Sequence, residues 1–276
     1  MKIELQPTRN AFLDWIYASG LVQASEFSAH CADKLYFARL VAREAPEAAQ
    51  KFLPHSYGVA EFLELGFPLA SYVVKAAGGM DSKGQLFTEE QFLAALKENR
   101  DPFLELSVVN ELTGLLSSGE RYLVQERLSG EEYRLHSFEH RVVRGATYTR
   151  WDSAWDAEAF RQAEDALEQF LASLPLELTR AQAWSVDLIG GVEQGFRLVE
   201  VNTNRGHKQH WSGDLSIPDT LAAYVRHLEL YYGIEFTGQG GELLRSGKAN
   251  QEKYVAKFGP AAVARHEALR ASLKSL

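Results

Sequence analysis

Two apolar stretches, "AWSVDLIG" at 183–190 and "GFRLVEVN" at 195–202, are joined by a glycine-bounded turn of a few residues. A connection this short allows only an antiparallel hairpin, since a parallel crossover needs a dozen residues or more. Further strand patterns at "RYLVQERL", "EYRLHSF" and "RVVRGATYT" also follow one another through short turns, and helical patterns interleave with them irregularly. Hairpins mixed with helices in this way indicate an α+β fold rather than a doubly wound parallel sheet.

The second strand of that hairpin carries Glu200 and Asn202 inside an otherwise apolar run. Side chains two apart on a strand share a face. With the turn centred between Val192 and Glu193, Asp187 falls opposite Leu198 and so on the face of Glu200, while Val199 and Val201 turn into the core. Two carboxylates and an amide oxygen converging on one surface suit Mg²⁺, which takes oxygen ligands and leaves room for phosphate oxygens. Asp187, Glu200 and Asn202 are therefore candidate metal ligands. A one-residue change of register would separate them.

Such a site calls for a nucleotide, and "VVKAAGGMDSKG" is the candidate phosphate loop. Gly78, Gly79 and Gly84 allow close backbone approach to phosphates, Lys75 adds a point charge, and Ser82 a hydroxyl donor. The lysine precedes the glycines, so this is not the GxxxxGK[ST] loop. The same pattern also describes an ordinary turn after a strand. In "YLVQERLSGEEYR", the backbone around Gln125, Glu126 and Leu128 is positioned to meet an adenine edge and Glu132 to accept from a ribose, although a plain hairpin reads the same way.

Elsewhere, a helix spans residues 10 to 20 up to Gly20, and Asp33 caps a helix through "KLYFARLVAREA". Thr88 caps "TEEQFLAALKEN". In 156–174 the residues Ala159, Phe160, Ala163, Leu167, Phe170, Leu171 and Leu174 form one apolar stripe. "IPDTLAAYVRHLELYY" reads as a further helix.

Taken in order, Lys34, Lys75 with its glycine loop, "QERLSGEEYR", Asp187 and "EVN" resemble the ATP-grasp superfamily, in particular the D-alanine–D-alanine ligases and the glutathione synthetase-like carboxylate–amine ligases. The resemblance runs over roughly residues 31 to 230. It implies two α+β lobes with ATP between them. Lys34 and Lys75 would hold the phosphates, Gln125, Glu126 and Leu128 the adenine, Glu132 the ribose, and Asp187, Glu200 and Asn202 two Mg²⁺ ions. It also implies ligation: a carboxylate takes the γ-phosphoryl group, and an amine then displaces phosphate from the acylphosphate. Arg134 and Arg205 are the candidates for steadying the carboxylate and the acylphosphate. His207, His210 and Trp211 would line the acceptor pocket. The donor and acceptor would be small molecules or peptides. A phosphotransferase on the same fold, or a nucleotide-binding module without catalysis, remains open at this point.

The chain departs from that pattern in four places. Ala76 replaces a proline after the second lysine, and Ser185 stands where an arginine often precedes the metal aspartate. After Glu-x-Asn the chain reads "TNRGHKQHWSG", where a small residue and then Pro-Gly is usual, and about 30 residues precede Asp33, too few for the family's first domain. The expected organisation is a short segment over 1–30, a first lobe over 31–124, a second over 125–234, and a basic helical tail over 235–276. Either that tail or a second copy of the chain, as a homodimer, is expected to cover the surface that a first domain would otherwise cover. From 241 to 276 there are seven Lys or Arg against three Glu, yet the chain carries a net charge of −8, which argues against general nucleic-acid binding. A single cysteine, Cys31, excludes an internal disulfide. With no signal-peptide pattern and no long apolar run, the expected location is cytoplasmic and off the membrane.

Overall fold

The computed structural model describes residues 1–6, 8–23, 30–31, 33–78, 88–97, 120, 122–146, 148–149, 157–203 and 218–246. Three sheets organise them. A five-stranded antiparallel sheet is built from β5 (Glu131–Phe138), β6 (Arg141–Val142), β7 (Tyr148–Thr149), β8 (Ala183–Gly191) and β9 (Gly195–Thr203). Its order is β6-β5-β8-β9, with β7 also on β5. A three-stranded antiparallel sheet sets β4 (Tyr122–Glu126) between β2 (Ser56–Gly58) and β3 (Tyr72–Ala76). A parallel pair joins β1 (Lys2–Glu4) to β10 (Glu235–Thr237). The mixture of antiparallel sheets and helices is α+β, as expected from the hairpins.

One face of the large sheet is apolar along its length, and the other carries Phe138 and Ala183 at one end into a second core. Tyr133, Leu135, Trp184, Val186, Leu188, Leu198 and Val201 all lie in one core. Helix α6 (Ala157–Ser173) covers that face, where six residues of its apolar stripe and Leu174 just beyond it are buried, and the short α7 (Leu176–Thr179) packs Leu178 against the same core. The same core takes in α2 (Lys34–Glu44) and α3 (Pro46–Phe52) through Phe37, Leu40, Val41, Ala48 and Phe52. These two helices, grouped with the first lobe in the sequence division, bury their apolar faces with the large sheet. The small sheet has its own core, where Val74 and Val124 meet Phe62 of α4 (Val59–Leu65) and Phe92 of α5 (Glu89–Lys97).

A further core joins the two chain ends. Helix α1 (Arg9–Ala18) presents Phe12, Leu13 and Ile16 to Leu221, Tyr224 and Leu228 of α8 (Pro218–Tyr232). Phe236 of β10 and Leu244 of α9 (Gly238–Ser246) complete it. The Trp15 and Phe236 rings meet edge to face at 5.1 Å. Residues 235–246 therefore fold back over the N-terminal helix, one of the two covers expected; the rest of the basic tail lies outside the described residues.

The Asp33 carboxylate caps α2 as expected, accepting from Leu35 and Tyr36 N–H at 3.0 Å each, while α1 is capped by Thr8, which accepts from Ala11 N–H at 3.2 Å. Thr88 accepts from Gln91 N–H at 3.2 Å. The single strand expected at "RVVRGATYT" is instead two short ones, because the chain turns at Gly145 with φ at 77°. Buried Glu164 of α6 fixes that turn by accepting from Gly145 N–H at 2.9 Å, and burial pushes its carboxyl pKa upward. No described helix is long and apolar enough to cross a membrane.

Candidate active site

The site occupies the face of the large sheet opposite its core, where β8 and β9 form the floor. Their hairpin register differs from the expected one. The turn holds three residues, 192–194, and closes with Gly191 opposite Gly195, whose φ of 74° only glycine adopts readily. Leu188 therefore faces Leu198, not Asp187. Between Asp187 and Leu188 the ladder shifts by one residue, a β-bulge that sets Val199 and Glu200 against Asp187. Asp187 consequently stands directly opposite Glu200, and Ser185 opposite Asn202. The three candidate ligands share one face, by a different register from the one the hairpin suggested. Val201 enters the core as expected, but Val199 does not; it lines a small recess with Cys31, Lys34, Ser56 and Gln125.

The neighbouring strand β5 adds alternating side chains to this face. Glu132 lies opposite Ile189, Arg134 opposite Asp187 and His136 opposite Ser185. Arg134 grips Asp187 with both arms of its fork: Nε to Oδ1 at 2.6 Å and Nη2 to Oδ2 at 2.7 Å. Asp187 is only 1% exposed. This bidentate geometry is among the stronger polar contacts available to a protein.

Two lysines reach the same place from other elements. Lys34 is the first residue of α2, where a cation opposes the helix dipole. Its placement thus serves something other than helix stability. The Lys34 N–H donates to Ala77 O at 2.8 Å, tying the start of α2 to the end of β3. Leu35, Ala77 and Leu123 pack beneath that junction. The Lys34 ammonium is nearly buried and lies 3.4 Å from Glu200 Oε1. Lys75, near the end of β3, donates to Gln125 Oε1 at 2.7 Å, and Gln125 Nε2 donates to Ser56 Oγ at 3.1 Å. Burial lowers the Lys75 pKa from its usual 10.5; Glu200 opposes that, Lys34 adds to it, and Glu132 and Asp187 oppose it more weakly. That one ammonium feels all of these groups is the clearest sign that they form a single cluster.

Part of the adenine reading needs correction. β4 is the central strand of its sheet, with Gln125 paired to Ser56 on one side and Val73 on the other, so its backbone serves the ladder. Its side chain instead carries Lys75. Glu126 donates its N–H to His55 O at 2.8 Å, and its carboxylate accepts from His55 N–H at 3.1 Å. The Glu126 carboxylate also lies 3.5 Å from Arg197, whose guanidinium donates twice to Leu53 O, at 3.1 and 2.6 Å. Leu128, in the link between β4 and β5, is the one of the three outside the ladder. Gly78 is buried just past β3. Gly79, Ser82, Gly84, Arg205, His207, His210 and Trp211 lie outside the described residues.

Ser56, His136 and Arg197 join the site without having been singled out. For His136 a signal existed: Glu132, Arg134 and His136 alternate along "EYRLHSF". For Arg197 there was none, since only the bulge turns residues 197 and 200 to one side.

The donor set fits a hard divalent cation. Asp187 and Glu200 supply carboxylate oxygens and Asn202 an amide beside them. The Asn202 Nδ2 is buried with no hydrogen-bond partner among the described residues, and as an N–H donor it calls for an acceptor oxygen rather than for a cation. No cluster of three or more His, Cys, Asp or Glu side chains suited to a metal occurs among the described residues. Mg²⁺ commonly keeps part of its oxygen shell from substrate or water.

No protein-family model matches the chain, and no curated protein matches it. In three dimensions it is similar to ATP-grasp ligases. With the ATP-grasp ligase PsnB complexed with minimal precursor, the TM-score is 0.40 at 17% identity, over 73% of this chain and 63% of that one. With the D-alanine–D-alanine ligase from Bacillus anthracis the values are 0.38 and 16%, over 63% and 57%. With the D-alanine–D-alanine ligase from Coxiella burnetii they are 0.45 and 15%, over 90% and 68%. The chain thus spans about 60% of the length of the first two of these structures.

Proposed function

We propose that the chain is an ATP-dependent carboxylate–amine ligase. The observation that supports this best is the convergence of Lys34 and Lys75, from separate elements, on the Asp187–Glu200 pair. Lys34, Lys75 and Arg134 are balanced by Glu132, Asp187 and Glu200. A triphosphate entering such a balanced cluster brings uncompensated negative charge, and Mg²⁺ held by Asp187, Glu200 and Asn202 would supply the positive charge that offsets it.

The lysines then act on the phosphates. Lys75, costly to keep charged while buried, gains from any anion that approaches it, so binding energy accrues where the phosphoryl charge spreads. A donor carboxylate oxygen attacks the γ-phosphorus, the bond to the bridging oxygen breaks, and ADP leaves. The amine nitrogen attacks the acyl carbon, loses its proton to solvent, and expels phosphate carrying one donor oxygen. Glu132, on the same face as Arg134, is the ribose partner in this reading, with Leu128 and Gly78 close to the nucleotide. The substrates are a small-molecule or peptide carboxylate and an amine.

Purified chain with ATP and Mg²⁺ should release ADP when a panel of amino acids and peptides contains the right pair. ¹⁸O placed in the donor carboxylate should then appear in the released phosphate. A stable phosphorylated product without amide would make the chain a phosphotransferase, and ATP binding without ADP release under any acceptor would make it a binding module.

A further inference from the structure

Arg134 occupies both oxygens of Asp187, the residue assigned above to metal binding. A carboxylate offers four lone-pair positions, and a bidentate guanidinium takes the two between its oxygens. Arg134 is itself largely covered, with a side-chain exposure of 12%, so its charge is not dissipated in water. A divalent cation approaching Asp187 meets a fixed positive charge within hydrogen-bond distance of both oxygens. Glu200 has a milder form of the same arrangement, since Lys34 stands 3.4 Å from its Oε1. The carboxylate floor is thus satisfied by the protein's own cations, most completely at Asp187.

Resting on the ligase reading, we infer that Arg134 is a counter-ion of Asp187 that metal–nucleotide binding displaces, and that the displaced guanidinium becomes the receptor for the donor carboxylate. Both states pair the same fork with a carboxylate: first Asp187, then the substrate. Without nucleotide, Asp187 is withheld from metal and Arg134 from substrate. With metal and nucleotide bound, Asp187 would serve as a metal ligand and the Arg134 fork would be left to receive a carboxylate on the same face. Linkage makes the effect reciprocal: what frees Arg134 tightens carboxylate binding, and a bound carboxylate tightens metal binding. The chain would bind nucleotide before donor acid.

Two measurements on the full chain test this. In the first, Mn²⁺ is titrated without nucleotide and free ion is read by electron paramagnetic resonance, for the wild type, Arg134→Met and Arg134→Lys. Arg134→Met should bind Mn²⁺ at least tenfold more tightly than the wild type. Arg134→Lys, which keeps the charge but loses the fork, should also bind several-fold more tightly. Equal affinities for wild type and Arg134→Lys would reduce the effect to bare charge and overturn the exchange. In the second, the Arg134 Nε–H resonance of the wild type, assigned by its loss in Arg134→Lys, is followed by ¹⁵N NMR, so the test survives if Arg134→Met does not fold. It should move toward the position of an unpaired guanidinium on addition of Mg²⁺ with a non-hydrolysable ATP analogue, and stay in place with Mg²⁺ alone at the same concentration. A resonance unmoved by the bound analogue overturns the inference while leaving the ligase reading intact. Failure of the analogue to bind overturns the ligase reading, and the exchange with it.

Discussion

Asp187 and Glu200 face each other across β8 and β9 because Val199 is one residue too many for a regular ladder. Without the bulge Glu200 would oppose Val186 and enter the core, and Asp187 would face a valine. The bulge keeps Leu198 and Val201 in the core and the acid outside it. A chain lacking Val199 should therefore still fold with Asp187 opposite Glu200, on a regular ladder. The cost should be about 1.5–3 kcal/mol, the value of one buried valine side chain. Urea unfolding measures that cost, and a cross-strand Hα contact between residues 187 and 200 reports the register. A contact between 187 and 201 instead would mean that the strand slips and that Val199 has another role.

Lys75 ties nucleotide binding to the cost of burial. Lys75→Met should weaken ATP binding at least tenfold by calorimetry while the fold survives. The pH dependence has a definite sign. Because burial first of all lowers the folded-state pKa below 10.5, the unfolded chain holds more protons between that lowered value and 10.5. Stability from this group therefore rises with pH across that window. Lys75→Met lacks the rise, so the wild type should gain on the variant as pH climbs toward 10.5. A constant difference between them would show that the ammonium is not held in a costly place. The absolute difference also contains the lost hydrogen bond to Gln125, so the slope is the informative quantity.

How much of this was legible in the sequence depended on the range of the determining contact. The caps at Asp33 and Thr88 and the stripe of α6 are local, and all lie where the residues indicated. The hairpin was legible as a hairpin, but its register rested on a three-residue turn and a bulge that alternation cannot reveal. The backbone of Gln125 was misread because β2, only three residues long and far away in sequence, makes β4 a central strand. The stretch "KLYFARLVAREA" marks α2 as a helix, not which sheet buries it, and nothing in the sequence reading marked α3 beyond Pro46.

Arg197 joins the two sheets and should set how independently the small one opens. Its two hydrogen bonds to Leu53 O, with Glu126 beside it, connect β9 to the segment leading into β2. Hydrogen bonds from a charged group are worth roughly 1.5–3 kcal/mol. Arg197→Met should lower stability by about that much and speed amide exchange in β2 and β4, leaving β5 and β8 unchanged. Uniform acceleration across both sheets would show that they open as one unit.

His227 should make the fold acid-sensitive at a place far from the chemistry. It is buried on α8 among Phe138, Tyr231 and Tyr232, with ring centroids 6.0, 4.8 and 6.2 Å away. Burial, aided by Arg141 and His140 and opposed by Glu139, lowers its pKa from 6.5 to about 4. Between those values the unfolded chain takes up a proton that the folded chain refuses. Stability from this group is thus intact above pH 6.5 and lost as pH falls toward about 4. The loss should amount to about 2–3 kcal/mol at about 1.4 kcal/mol per pH unit. His227→Phe, which retains the aromatic packing, should remove this part of the acid loss. Urea unfolding between pH 6.5 and 4, run on both proteins, checks it. Parallel curves for wild type and variant would mean that His227 titrates normally and that its neighbours yield to its charge.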